Sequence, residues 1–303
     1  MTLPRQTARH ASAAPAHHAA LDLLVERLLG TDDQVRPAAL RDLGALADAD
    51  PEAREAVVRV VCEFLRSPWT ARGRDLGRSG QVHEPELRRA AVRLLADHLR
   101  QPSSPTSWAG HDLDLAGAVL VGADFSGCVF LGGRVRFEGA WCIEGRISFA
   151  GARFLGAEVS FRHWSSGQGR LGFEGARFSA GVVTLAGASV DADTLSLAGA
   201  VVDGGVFALT EARMRAGVID LTGISVTAGT LSFADARLAG GRVLLVDARL
   251  FGGMIALRDV RLGVGVLSTA GAQARPGTLD LHGAQVEDGP ILQALLRLAG
   301  VAE

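Results

Sequence analysis

Three amino acids are missing altogether: the 303 residues include no lysine, no asparagine and no tyrosine. All three have AT-rich codons, so the absence marks a GC-rich genome rather than a function. Positive charge therefore rests on 31 arginines, set against 33 acidic residues for a formal net charge of −2. That balance excludes a strongly basic nucleic-acid binder and argues against a strongly acidic imitation of one. Cysteine is scarce, and Cys62, Cys128 and Cys142 form an odd set that suits a reducing compartment. No segment reads as spanning a membrane, since no apolar run reaches the necessary length. The N-terminus carries Arg5 and Arg9 without the apolar stretch of a signal peptide, and a cytoplasmic protein is expected. Glycine is the excess, at 38 residues. Hydrophobic residues at 48% and charged residues at 21% give a globular composition, and the length points to about two domains.

Residues 1–20 are small, polar and aperiodic, and read as a disordered tail with almost nothing to bury. His17 and His18, without further ligands, make a poor metal site. Over 21–100 the apolar spacing is helical. Leu21, Leu24, Val25, Leu28 and Leu29 form one stripe, Val57, Val60, Val61, Phe64 and Leu65 another, and Leu87, Ala91, Leu94, Leu95 and Leu99 a third. Asp50-Pro51 reads as an N-cap with proline at the first helical position, and Thr31-x-x-Gln34 as a capping box. Four amphipathic helices joined by short turns predict an all-α domain of stacked hairpins, like HEAT or armadillo repeats. The arginine-bearing stretch 67–82 reads as a solvated loop, and 101–111, with its prolines and serines, as a linker.

Beyond the linker the pattern changes. Leu115, Leu120, Phe125 and Phe130 recur every five positions, with Ala118, Ala123 and Cys128 two places before the last three. From residue 127 the period becomes twelve, and fourteen units start in phase from 127 to 283 without an insertion. Their consensus is G-A-x-Φ-x-(A/G)-G-x-Φ-x-Φ-x, with Φ apolar, clearest in GARFSAGVVTLA (175–186) and DARLAGGRVLLV (235–246). A fixed internal period means a solenoid. The five-residue spacing resembles the pentapeptide-repeat family, in which four units make one square coil of a right-handed β-helix. The resemblance implies that architecture for 112–290, although strict pentapeptides cover only about 20 residues.

Two coil lengths fit the twelve-residue unit: one flat coil per unit, or one four-sided coil per two units. The second continues the pentapeptide geometry and explains why Phe130, Phe154 and Phe178 occupy the fourth position of alternate units. With 24 residues per coil they stack on one face, where packing is better than in a column alternating large and small residues. Inward positions are then 2, 4, 9 and 11, and glycine or alanine at 6 and 7 serves a corner. The predicted fold is mixed and mainly β. It comprises an all-α domain over 21–100, a right-handed four-sided β-helix over 112–290 and a capping helix over 291–303. A cap protects the last coil's edge. The same leucine-rich helix could instead form a homodimer contact, as C-terminal modules do in some pentapeptide-repeat proteins.

Chemical motifs are absent. His83, His98, His111, His163 and His282 are scattered, without zinc-ligand spacing. Cys128 and Cys142 fall at inward positions and read as core. There is no nucleophile elbow, phosphate loop or dinucleotide fingerprint. The unbroken repeat leaves no long loop to form a cleft, and Asp220 and Asp280 fall on opposite faces, whereas acid/base carboxylates must be neighbours. No catalytic residue, cofactor or metal is expected.

Two surface features remain. Acid at unit position 1 and arginine at position 3 recur as Glu211-Ala-Arg213, Asp235-Ala-Arg237, Asp247-Ala-Arg249 and Asp259-Val-Arg261. They read either as a solvated face or as a strip presented to a partner. Leu131, Leu155 and Phe251 share an outward position, and Trp141 points outward on another side; together they form a candidate apolar surface. Some members of the family resembled here protect DNA gyrase by imitating duplex DNA, which needs a dense acidic surface. From residue 111 onward this chain has 19 acidic residues and 16 arginines. The sequence reading is therefore a non-enzymatic scaffold for unidentified protein partners, with no membrane or direct nucleic-acid contact. The alternative is a DNA-mimic modulator of gyrase or another topoisomerase.

Overall fold

The computed structural model describes residues 13–69, 84–165, 167, 170–191, 193–264 and 266–300. Residues 1–12, most of the arginine-bearing loop with His83, Ser166 and the last three residues lie outside the described residues, as do the side chains of His17 and His18.

Helix α1 spans Ala13–Leu29, so it begins inside the segment expected to be a disordered tail. Ala13, Ala14, Ala16, Ala19 and Ala20 have the best helix propensity, and the buried Leu24 and Leu28 anchor the helix downstream. Helices α2 (Arg36–Ala49), α3 (Arg54–Arg66) and α4 (Glu84–Arg100) follow. The capping box expected at Thr31 does not form. Asp32 shapes that turn, its carboxylate accepting from Gln34 N–H at 2.9 Å and its carbonyl from Val35 and Arg36 N–H. Asp50 accepts from Glu52 N–H at 2.9 Å, but α3 proper begins at Arg54, after an intervening turn.

The helical region closes over the first coil of the solenoid. Leu43, Val57, Val61, Phe64, Leu65, Ala91 and Leu95 are buried in the same continuous core as Leu115, Leu120 and Phe125. Arg88, fully buried on α4, bonds Glu84 at 2.8 Å and donates to the carbonyls of Leu65, at 2.8 Å, and Val119, at 3.0 Å. One guanidinium thus satisfies acceptors from α3 and from the first coil, and Glu84 balances its buried charge. Arg100 donates to Ser126 O at 2.9 Å, and Arg66 pairs with Asp114 at 2.6 Å. The stretch expected to be a linker contains Trp108, which is fully buried and stacked on His98 at 4.1 Å between ring centroids.

The rest of the chain is a parallel β-solenoid of about seven turns. Strand register fixes the coil at 24 residues: Arg177 aligns with Val201, Val201 with Ser225, Ser225 with Arg249 and Arg249 with Gln273. Only the pentapeptide start is shorter, with Leu113 opposite Val135 and Val119 opposite Trp141. Four columns of paired strands run along the rod. One passes through Arg134–Arg136 and Met254–Ala256, the next through Arg213–Met214 and Arg261–Leu262. The third passes through Thr194–Ser196 and Val218–Asp220, and the fourth through Val129–Phe130 and Arg249–Leu250. At the strand spacing of ~4.8 Å, seven turns make a rod roughly 35 Å long.

Positions 2, 4, 9 and 11 fill the core through most of the rod, as the period predicts; in the unit starting at 175 these are Ala176, Phe178, Val183 and Leu185, all buried, whereas near the end Leu267, Thr269, Ala272 and Ala274 are only half-buried. The expected ladder forms: Phe130 stacks on Phe154 at 5.0 Å and Phe154 on Phe178 at 4.9 Å, with rings 6° from parallel. Two further ladders share the core, Phe125–Phe149–Phe173 at 5.4 and 5.1 Å and Phe137–Phe161 at 4.7 Å, and they meet edge to face. At the far end, α5 (Gly289–Ala299) is capped by the Asp288 carboxylate at Ile291 N–H and by the left-handed Gly300. It buries Ile291, Leu295 and Ala299 against the last strands.

Candidate interaction surface

Every unit turns a left-handed corner at position 1 and several turn a second at position 7, and the two differ in space. At position 1, Gly175 has φ +63° and an added Cβ would meet nothing within 4 Å. At position 7, Gly181 has φ +78° and a Cβ would collide with the backbone carbonyl of Ala157 on the preceding turn. Side chains with positive φ occur among the described residues only at position 1, at His163, Glu211, Asp235, Asp247 and Asp259, while Ala157 and Asp193 occupy position 7 without positive φ.

The 24-residue coil sorts the four acid–arginine pairs. Successive units lie half a turn apart, so Asp247 and Arg249 stand on the opposite side of the rod and the four pairs do not make one strip. Glu211, Asp235 and Asp259 stack on three successive turns, with Arg213, Arg237 and Arg261 aligned beside them in parallel register. All six are exposed and together line a shallow groove of about 600 Å³. None forms an ion pair among the described residues. Some charges elsewhere on the rod are paired between turns, Arg146 with Glu174 at 3.0 Å, Arg170 with Asp193 at 3.1 Å, Arg215 with Asp191 at 3.3 Å and Arg258 with Asp280 at 3.1 Å, while Arg153, Arg242, Asp247 and Arg249, like the strip, form no ion pair among the described residues. Arg177 also pairs with Asp203.

The apolar candidates do not join into one patch. Leu131 is 43% exposed, Leu155 on the next turn is half-buried, and Phe251 lies four turns further on with the Arg275 guanidinium 5.8 Å from its ring. Trp141, 57% exposed, lies in the same strand column as Arg213, three turns toward the N-terminus.

Burial pushes the thiols of Cys62 and Cys128 up to about 12 and raises that of Cys142, and all three are free and buried. A buried thiol held protonated is a poor nucleophile and a poor metal ligand. Among the described residues no three His, Cys, Asp or Glu side chains lie close enough to share a metal ion. Asp220 and Asp280 lie in opposite columns, as the coil length requires. No helix among the described residues is long and apolar enough to cross a membrane. Compared with protein-family models, curated proteins and solved structures, the chain matches none of them.

Sequence reasoning identified the charged pairs but not their division between two faces, which follows once the period is doubled. It also missed the buried Arg88–Glu84 cluster, because the bonds of Arg88 to Leu65 and Val119 leave no mark in local spacing.

Proposed function

We propose that this protein is a non-enzymatic protein-interaction scaffold, architecturally akin to the pentapeptide-repeat proteins, whose recognition face is the strip from Glu211 to Arg261. The observation that carries this reading is the groove itself: six exposed charges on three successive turns with no ion pair among the described residues. At Glu211 the backbone adopts φ of 57°, which costs an ordinary L-residue roughly 1–2 kcal/mol relative to glycine, while the aspartates Asp235 and Asp259 tolerate their left-handed corners more easily. Glycine holds the equivalent corner at Gly283 and Gly187 on the same side, so the acids are not needed for the turn. Free thiols fit a reducing cytoplasm. Alternating acid and arginine favours a mixed-charge protein surface over a polyanion mimic.

The test is cross-linking in cells of the source organism, comparing the full chain with a variant in which all six charges are neutralised to Gln or Asn. Loss of specific adducts in the variant is the expected result. Identical adducts would remove the strip from recognition. Purified protein added to a gyrase supercoiling assay is expected to leave the rate unchanged, and strong inhibition would favour the DNA-mimic reading instead.

A further inference from the structure

We propose that the charged strip pairs with the same strip on a second copy of this chain, the two rods lying side by side and pointing the same way. The inference rests on the strip being a protein-recognition face and names its partner.

The geometry of the strip selects both partner and orientation. It consists of two parallel columns, acids at Glu211, Asp235 and Asp259 and arginines at Arg213, Arg237 and Arg261, repeating at the strand spacing of ~4.8 Å. The columns are two residues apart along the chain, roughly 6–7 Å in extended backbone. A second copy is brought face to face by a two-fold axis, and two directions are possible. With the axis along the rod, left and right exchange while height is kept. The acid column of each copy then lies over the arginine column of the other, at the same turn. With the axis across the rod, left and right are kept and heights invert, so acid meets acid and arginine meets arginine. Only the parallel arrangement is complementary, and it brings all six charges of each copy opposite an unlike charge. A foreign partner would need to reproduce the turn-to-turn pitch, whereas a second copy has it by construction, and an isologous contact closes at two subunits. The strip alone is smaller than the interface of a permanent dimer, so association is expected to be reversible and sensitive to salt.

Purified full-length protein tests this by sedimentation, without any cellular partner. Two variants keep the fold: Glu211→Gln/Asp235→Asn/Asp259→Asn, in which asparagine tolerates the left-handed corners, and Arg213→Gln/Arg237→Gln/Arg261→Gln. Circular dichroism and the thermal midpoint check that both remain folded. The wild type is expected to dimerise, with affinity falling about tenfold or more between about 0.05 M and about 0.5 M salt. Each variant alone should dimerise at least about tenfold more weakly, since its remaining charged column faces a neutral one. An equimolar mixture should dimerise more tightly than either alone, because an arginine column again meets an acid column. Orientation is read with Gln285→Cys, one turn beyond Arg261 in the same column, whose new thiol is exposed while the native ones are buried. A short bis-maleimide should join two copies in the parallel dimer. An antiparallel dimer centred on Arg237 would hold those positions about 19 Å apart along the rod and leave them unjoined. A wild type that stays monomeric at low salt, a dimer indifferent to both variants, a mixture no tighter than its components, or an unjoined cysteine pair would overturn the proposal. If the protein is monomeric but neutralising the strip still abolishes cellular adducts, the scaffold reading stands with a different partner. If neither occurs, both fall.

Discussion

At the residue scale the corners decide what the surface can carry. Where position 7 turns left-handed against the preceding turn, as at Gly181, that turn's carbonyl occupies the space of a Cβ, whereas Ala157 and Asp193 hold the same position without positive φ; position 1 needs only left-handed backbone, and so admits Asp, Glu or His. Gly175→Ala should therefore cost only the conformational strain, about 1–2 kcal/mol. Gly181→Ala adds a backbone collision and should cost roughly twice that or more; urea midpoints of the two variants check the contrast. Asp191 offers a pH test. Its carboxylate accepts from the Ser189 hydroxyl at 2.6 Å and from Arg215, and these bonds hold it below the usual carboxylate range. A depressed folded-state pKa gives stability that is present above the unfolded value of about 3.9 and lost as pH falls through the folded value. Asp191→Asn should lower the thermal midpoint slightly at neutral pH, and its curve should converge on the wild type's in acid, as measured by melting across pH.

At the element scale, turns are joined by ladders of identical side chains. Phe154 lies between Phe130 and Phe178 and also touches the Phe149 and Phe173 rings. Phe154→Ala should cost about 3–5 kcal/mol, because neighbours held by the coils above and below cannot collapse into the cavity. Phe154→Leu keeps most of the volume and should lose less than half as much, a difference that denaturant unfolding would resolve. The aromatic ladders end near Phe207, which meets Phe173 and Phe178 edge to face, and beyond it the same inward columns carry Val226, Leu250 and Leu245. This gradient follows the repeat itself, since each inward column is one unit position sampled every 24 residues.

At the scale of the whole molecule, both ends of the rod are covered. The α-helical region, through α3 and α4, seats on the first coil, with Arg88 donating to both, and α5 lies across the last strands. An uncovered end would present unpaired strand edges to other chains. Truncation after Glu287 should leave the coils folded but promote end-to-end association, seen as a concentration-dependent rise in size by light scattering. The full chain should lack this rise and show only the saturable association proposed for the strip.

The sequence alone determined the architecture, because the solenoid is written in local terms. A side chain's inward or outward sense depends on its place in a twelve-residue unit, and the alternate phenylalanines reveal that two units make a coil. The capping helix is legible for the same reason, as a leucine-rich amphipathic segment following a proline. The first turns of α1 leave no apolar stripe in the sequence, since its alanines favour helix without carrying a periodic hydrophobic signal. Only the tertiary structure decided which surface residues become neighbours. Asp235 and Asp247 are twelve residues apart and stand on opposite sides, whereas Asp235 and Asp259 are twice as far apart in sequence and stack on successive turns. Surface adjacency is set by where the closed coil brings the chain back, and that return is a property of the whole turn.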